Sequence, residues 1–403
     1  MRRIYLLLCA AFALFLVACT SEEPLTPKEI SPLESRGNHV TVPLALQRAG
    51  KMLESLDKSQ GLTRSGYKNR IVLDIECIRS TAKTRSSDGS MADTLYYVIN
   101  YANEDGFAIV SADNRTVPIY AVSADGNCNI EDTVFNKGLA DFFRCMENDI
   151  LCTARGTDIF PVDTIIYNPP TDVEMPIVEK VDPWFSFSVS TWHQGDPLNR
   201  FCLNESGEIC PVGCVAIGVG QIMSFYRYPS GYKDHVYDWN EIISSHSSES
   251  LAHLLRDLGN EENLKMNYRP GGSGAYTDCI DRTLYNMGYE HVGYLGSAFD
   301  IKEAVKALKA GPIAMVGYDK GRTEKHLWTV DGYITYLDQF KFDDSVPMFH
   351  CVWGWGGAGN GYYYFRNGFD LSNPEDVEFP YNDNPKPNYT SDFYFWTGFK
   401  IRN

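Results

Sequence analysis

Between residues 215 and 226 the chain is apolar almost without interruption, relieved only by Gln221, Ser224 and two glycines. A helix apolar around its whole circumference is buried on every side. The run opens with Cys210-Pro211-Val212-Gly213-Cys214, which sets Cys214 on its first turn. Upstream, Thr41, Pro43 and the spacing of Leu46, Ala49, Leu53 and Leu56 predict a helix. Residues 71–77, 94–101 and 107–111 read as strands, the last two joined by Asn103-Glu104-Asp105-Gly106 as a hairpin. Leu139, Phe142, Phe143, Met146 and Ile150 predict a second helix. The pattern then lapses from 152 to 181, as in an exposed connector open to proteolytic nicking. Beyond it, helical patterns at 251–258, 277–287 and 300–310 precede strand-like runs at 313–318, 327–336, 349–353, 361–365 and 393–401. Asp300 with Glu303 reads as a capping box. The order implies a helical half and an antiparallel sheet half with a cleft between them, behind a smaller α+β unit.

Composition narrows the partners. Against 52 Asp+Glu stand 36 Lys+Arg, a net charge of −16, which disfavours nucleic acid. Arg2 and Arg3 precede an apolar stretch from 4 to 18, too short to span a membrane and suited to an export signal. Leu16-Val17-Ala18-Cys19 resembles a bacterial lipobox, in which Cys19 would be lipidated and hold the protein on a membrane. The alternative is a plain signal cut near Ala18. Residues 19–38, rich in Ser, Glu and Pro, read as a tether. Apart from Cys9 and Cys19, nine cysteines remain, an odd number that leaves one thiol free. Cys202 and Cys210 are candidates for a local disulfide. A metal site from Cys202, Cys210, Cys214 and His193 lacks the paired spacing such sites use.

The candidate chemistry rests on Cys214. A thiol at a helix N-terminus faces the positive end of the dipole, which favours thiolate; the same residue read blandly is one more core cysteine. A nucleophilic thiol needs a base. Of eight histidines, His326 stands at the start of a strand-like run, and His350-Cys351-Val352-Trp353-Gly354-Trp355-Gly356-Gly357 would let a backbone and an indole approach an imidazole closely. His246 and His253 read as structural or surface residues.

These residues carry a resemblance to the streptopain family of papain-like cysteine peptidases. Its blocks stand as Gly213-Cys214-Val215-Ala216 with Gln221-Ile222-Met223 and Tyr228-Pro229, Gln194-Gly195-Asp196-Pro197-Leu198-Asn199, His326 with Val330-Asp331-Gly332, and Trp353 to Gly357. Tyr96-Tyr97-Val98, Asp105-Gly106-Phe107 and Ile109-Val110-Ser111 resemble the family's propeptide. The resemblance implies an exported zymogen with a propeptide at 39–152, an activation linker at 153–176 and a papain-like peptidase at 177–403. It implies protein or peptide substrates, the chain's own propeptide as intramolecular inhibitor, and no cofactor or metal. By it, Cys214 is the nucleophile, His326 the general base and acid, Gln194 the oxyanion donor, and Trp353 part of the catalytic group. Ser273, Gly274, Ala275 and Trp328 fall at the substrate cleft. Three departures stand out: Val352 where the family has Asn, Glu324 and Lys325 where it has glycines, and Ile217, Gly218 and Gly220 where it has Thr and Ala. They leave two rivals, a weakly active or inactive homologue that acts as a binding lipoprotein, and a Cys-His amidase of peptidoglycan peptides.

Overall fold

A computed structural model describes residues 38–62, 66–79, 94–134, 136–155, 174–245, 247–291, 295–318, 325–338, 344–366 and 393–402. The export signal, Cys19, His246 and Glu324 lie outside the described residues. The chain runs α1 (Val42–Ser59), β1 (Val72–Arg79), β2 (Thr94–Tyr101), β3 (Phe107–Ser111), β4 (Ile119–Ser123) and α2 (Lys137–Arg155). After β5 (Ile177–Val181) and the short α3 (Phe187–Ser190) comes α4 (Cys214–Tyr226), the all-apolar helix. Then follow β6 (Gly231–Tyr232), β7 (His235–Val236), α5 (Trp239–Ser244), α6 (Glu249–Leu258), α7 (Cys279–Asn286), β8 (Tyr289–His291), β9 (Leu295–Ala298) and α8 (Ile301–Leu308). The sheet half closes the chain with β10 (Ile313–Tyr318), β11 (Lys325–Asp338), β12 (Asp344–Val352), β13 (Gly361–Tyr363), β14 (Phe393–Trp396) and β15 (Phe399–Ile401).

The two α+β units expected from the sequence share one antiparallel sheet. Its order is β1-β2-β3-β4-β13-β12-β11-β10-β14-β9, and the join is β4 on β13, with Val122 opposite Tyr362. Pairing there covers edges that two separate sheets would leave open. Strand β5, hidden in a stretch that reads as connector, adds to the far half of β11, with Lys180 opposite Ile334. Its Glu179 and Lys180 blunt the hydrophobic signal, and backbone pairing supplies what side chains do not.

Alternation along β10 and β11 sorts the core. Ala314, Val316 and Leu327 face the cluster that holds α4 to α7, whereas Met315, Trp328 and Val330 face the one that holds α2 and α8. Successive strand residues point to opposite faces, so His326 shares the Trp328 face and Leu327 the α4 face. Helix α1 lies over β2–β4 in a third cluster. Asp300 caps α8 through Glu303 N–H (3.0 Å), but the Glu303 carboxylate pairs with Lys306 rather than closing the box.

The lone amide in α4 has a structural task. Gln221 Nε2 donates to the Val189 carbonyl (3.0 Å) and its Oε1 accepts from Thr329 Oγ1 (2.8 Å), all fully buried. That bond fixes α4 against β11. Thr329→Val keeps the shape and leaves a buried amide oxygen unpaired, which costs about 1–3 kcal/mol. Urea unfolding is expected to lose that much stability.

Candidate active site

Cys214 is the first residue of α4 because Gly213, at φ 93°, makes the turn into the helix; a Cβ there would also meet Met266 Sδ at 2.9 Å. The thiol therefore sits at the positive end of the helix. Leu327 N–H donates to Cys214 Sγ at 3.5 Å, which brings the sulfur to the strand that carries His326. Burial alone would push the thiol up. The His326 charge and hydrogen bond, with the N–H groups of Leu327 and Val215, outweigh it and bring the thiol below its ordinary value. The imidazole responds in kind. Burial lowers it, but the Cys214 thiolate, its hydrogen bond, the Trp353 carbonyl and Asp141 together raise it. Both shifts favour the thiolate–imidazolium form.

Orientation comes from backbone. His326 Nε2 meets the Trp353 carbonyl at 3.1 Å, which leaves Nδ1 for the sulfur. That contact takes up the role Val352 cannot fill. The Trp353 indole N–H goes instead to the Gly359 carbonyl (3.0 Å), and Asn360 holds the loop, accepting from Trp353 N–H (3.1 Å) and donating to the Ser190 carbonyl (2.8 Å). Trp328 and Trp355 both stack near the imidazole, each with its centroid 6.4 Å away. Trp328, expected at the substrate cleft, is buried to 1 % exposure in the cluster that contains the α2 side chains.

Gln194 is buried, and its carbonyl accepts from Val212 N–H (2.9 Å), two residues before Cys214. Cys202 and Cys210 stand opposite each other on the same loop, joined by Cys210 N–H to the Cys202 carbonyl (2.8 Å), both as free thiols. His193 turns back on its own turn, its Nδ1 accepting from Gly195 N–H (3.2 Å). The segment of Ser273, Gly274 and Ala275 is anchored by paired backbone bonds between Gly274 and Asn267 (2.9 and 3.3 Å). The Ser273 carbonyl lies 3.1 Å from where a Cβ on Gly213 would be, so this segment borders the nucleophile.

Helix α2 covers the imidazole. A Cβ on Gly138 would lie 2.7 Å from His326 Cδ2 and 3.0 Å from two atoms of the Trp353 ring. One turn on, the buried Asp141 reaches over Gly317, the register partner of His326; its Oδ2 would lie 3.0 Å from a Cβ there. Pattern reading found the apolar face of α2 but not these two residues, since a glycine and an aspartate carry no periodic signal.

A thiol on a helix N-terminus, an imidazole from the neighbouring strand and a cover drawn from the same chain are the parts of a thiol hydrolase kept closed by its own N-terminal segment. Comparison with known proteins agrees. Residues 192–363 match the Peptidase C10 family and residues 37–150 match the Spi protease inhibitor family. The chain is 26 % identical over 314 residues to the thiol protease/hemagglutinin PrtT of Porphyromonas gingivalis, covering 68 % of this chain and 34 % of that protein. It is 23 % identical over 325 residues to streptopain of Streptococcus pyogenes, covering 68 % of this chain and 75 % of that one. The chain thus spans about a third of the Porphyromonas relative. Prointerpain A of Prevotella intermedia shares the fold at a TM-score of 0.51, with 18 % identity over 82 % of this chain and 99 % of that chain. The chain thus resembles the C10, or streptopain, family of cysteine peptidases over residues 192–363, with a match to a protease-inhibitor family ahead of it at 37–150.

Gly138→Val would force α2 away from His326. Overpacking of this kind costs about 1.4 kcal/mol or more, equivalent to about tenfold in an opening equilibrium. Alkylation of Cys214 in the uncleaved chain is expected to speed up by that factor, read as the initial rate of iodoacetamide incorporation.

Proposed function

We propose that Cys214 attacks the scissile peptide carbonyl as thiolate and that His326 gives its proton to the leaving amine, then takes one from the water that releases the acyl group. The closeness of Cys214 and His326, each shifted toward its charged form, is the observation that carries this reading. The Trp353 carbonyl holds Nε2 and so keeps Nδ1 turned to the sulfur and the leaving group. Gln194 and the Cys214 N–H stabilise the oxyanion; a donor of this kind is worth about 2.7–4 kcal/mol. Trp353 screens the imidazole from water and sets its orientation. Residues 273–275 line the cleft that receives an extended protein or peptide substrate, and Trp328 backs the imidazole from below.

On this reading residues 39–152 are the propeptide, 153–176 the segment whose cleavage starts activation, and 177–403 the peptidase. Gly138 and Asp141 leave with the propeptide, and the face of the sheet that bears His326 opens to substrate. The apolar stretch at 4–18 exports the chain, and lipid on Cys19 holds it to the bacterial surface until processing frees the peptidase.

The test is conversion of the full chain in reductant. Wild type is expected to lose its N-terminal part and to cleave casein, and Cys214→Ala to do neither. His326→Ala should fold and lose about 10²–10⁴ in kcat/KM, the range for a positioned acid–base group. A Cys214→Ala chain that converts and cleaves at the wild-type rate would mark the inactive homologue instead.

A further inference from the structure

Lys325 stands immediately before His326, at the first position of β11. Its Nζ donates to Thr277 Oγ1 at 3.0 Å, across from β11 to the segment that leads into α7. The Tyr276 ring, 72 % exposed, lies 5.9 Å from the same nitrogen, within the range of a cation–π contact. Thr277 and Tyr276 are thus among the groups that hold the ammonium beside the nucleophile, and Asp278, Cys214 and Cys279 are near enough to act on its charge.

Lys325 also borders helix α2. Lys325 shares the lining of an open groove of about 390 Å³ with Lys137, Asp141, Arg144 and Glu147 of α2. All four leave with the propeptide, whereas Thr277, Tyr276 and Asp278 stay. The groove then becomes a wall of the substrate cleft with a fixed cation on it. An extended peptide advances about 3.3 Å per residue, and Lys325 lies two strand positions from Leu327, whose N–H meets the sulfur. Side chains one or two residues from the scissile bond come within reach of Nζ.

Resting on the peptidase reading above, we infer that Lys325 is a specificity-determining residue that selects a carboxylate-bearing side chain, Glu or Asp, at a position flanking the bond to be cut. The ammonium supplies a charge-assisted hydrogen bond to the carboxylate and repels a basic residue at the same place.

The experiment uses full-length chain after conversion and a set of fluorogenic peptides that differ only by Glu, Gln or Lys at each of the positions flanking the cut. At one position the kcat/KM ratio of Glu to Gln is expected to reach about tenfold, the value of a bond worth about 1.4 kcal/mol. The ratio should fall toward one in Lys325→Met, survive in Lys325→Arg, invert in favour of the Lys peptide in Lys325→Glu, and shrink as salt rises. Because each ratio is taken within one enzyme, a general loss of activity does not move it. Cleavage by wild type without preference for Glu, or an undiminished preference in Lys325→Met, overturns this inference and leaves the peptidase reading intact. Failure of wild type to cleave any peptide overturns that reading, and this inference with it.

Discussion

Three parts of the chain meet at the His326 ring: the strand β11 that carries it, the helix α4 whose first residue is Cys214, and the helix α2 whose Gly138 lies against it. Burying a thiolate and an imidazolium together is expensive, and such pairs often add nothing to stability. This one is kept at the mouth of a helix dipole, with backbone N–H groups on the sulfur and a backbone carbonyl on the ring. Packing alone does not account for that arrangement, and charged groups shifted in this way cluster at functional sites.

The cover is built into the same sheet as the site. Strands β1 to β4 extend the peptidase strands through β13, so the propeptide does not rest on the surface as a separate body. Leu139 and Phe142 of α2 share a core with Trp328, Trp353 and Phe393. Removing the propeptide therefore uncovers apolar surface, a sheet edge and the imidazole in one step, and a cleft with those features suits an extended chain.

Much of this was legible in the residues. Helix α4 was readable because it is apolar all round, and His326 because it opens a β-branched and aromatic run. The role of Val352 was half readable: a valine cannot hold an imidazole, but only coordinates distinguish the Trp353 carbonyl from its indole. Strand β5 escaped because Glu179 and Lys180 break its pattern and its stability comes from β11. Gly138 escaped for a different reason. Its meaning is the absence of a side chain at a contact between residues 188 positions apart in sequence (326 − 138), and no local pattern records that. Gln221 was visible as a lone polar residue in an apolar helix, and only Thr329 and Val189 explain it.

The most direct measurement is an NMR titration of the His326 imidazole in the intact chain. The Cys214 thiolate, the Trp353 carbonyl and Asp141 should keep it protonated above the ordinary histidine value of about 6.5, and Cys214→Ala should let burial draw it back down. A ring that titrates at or below that value in the wild type, unmoved by loss of the sulfur, would contradict the account at its centre.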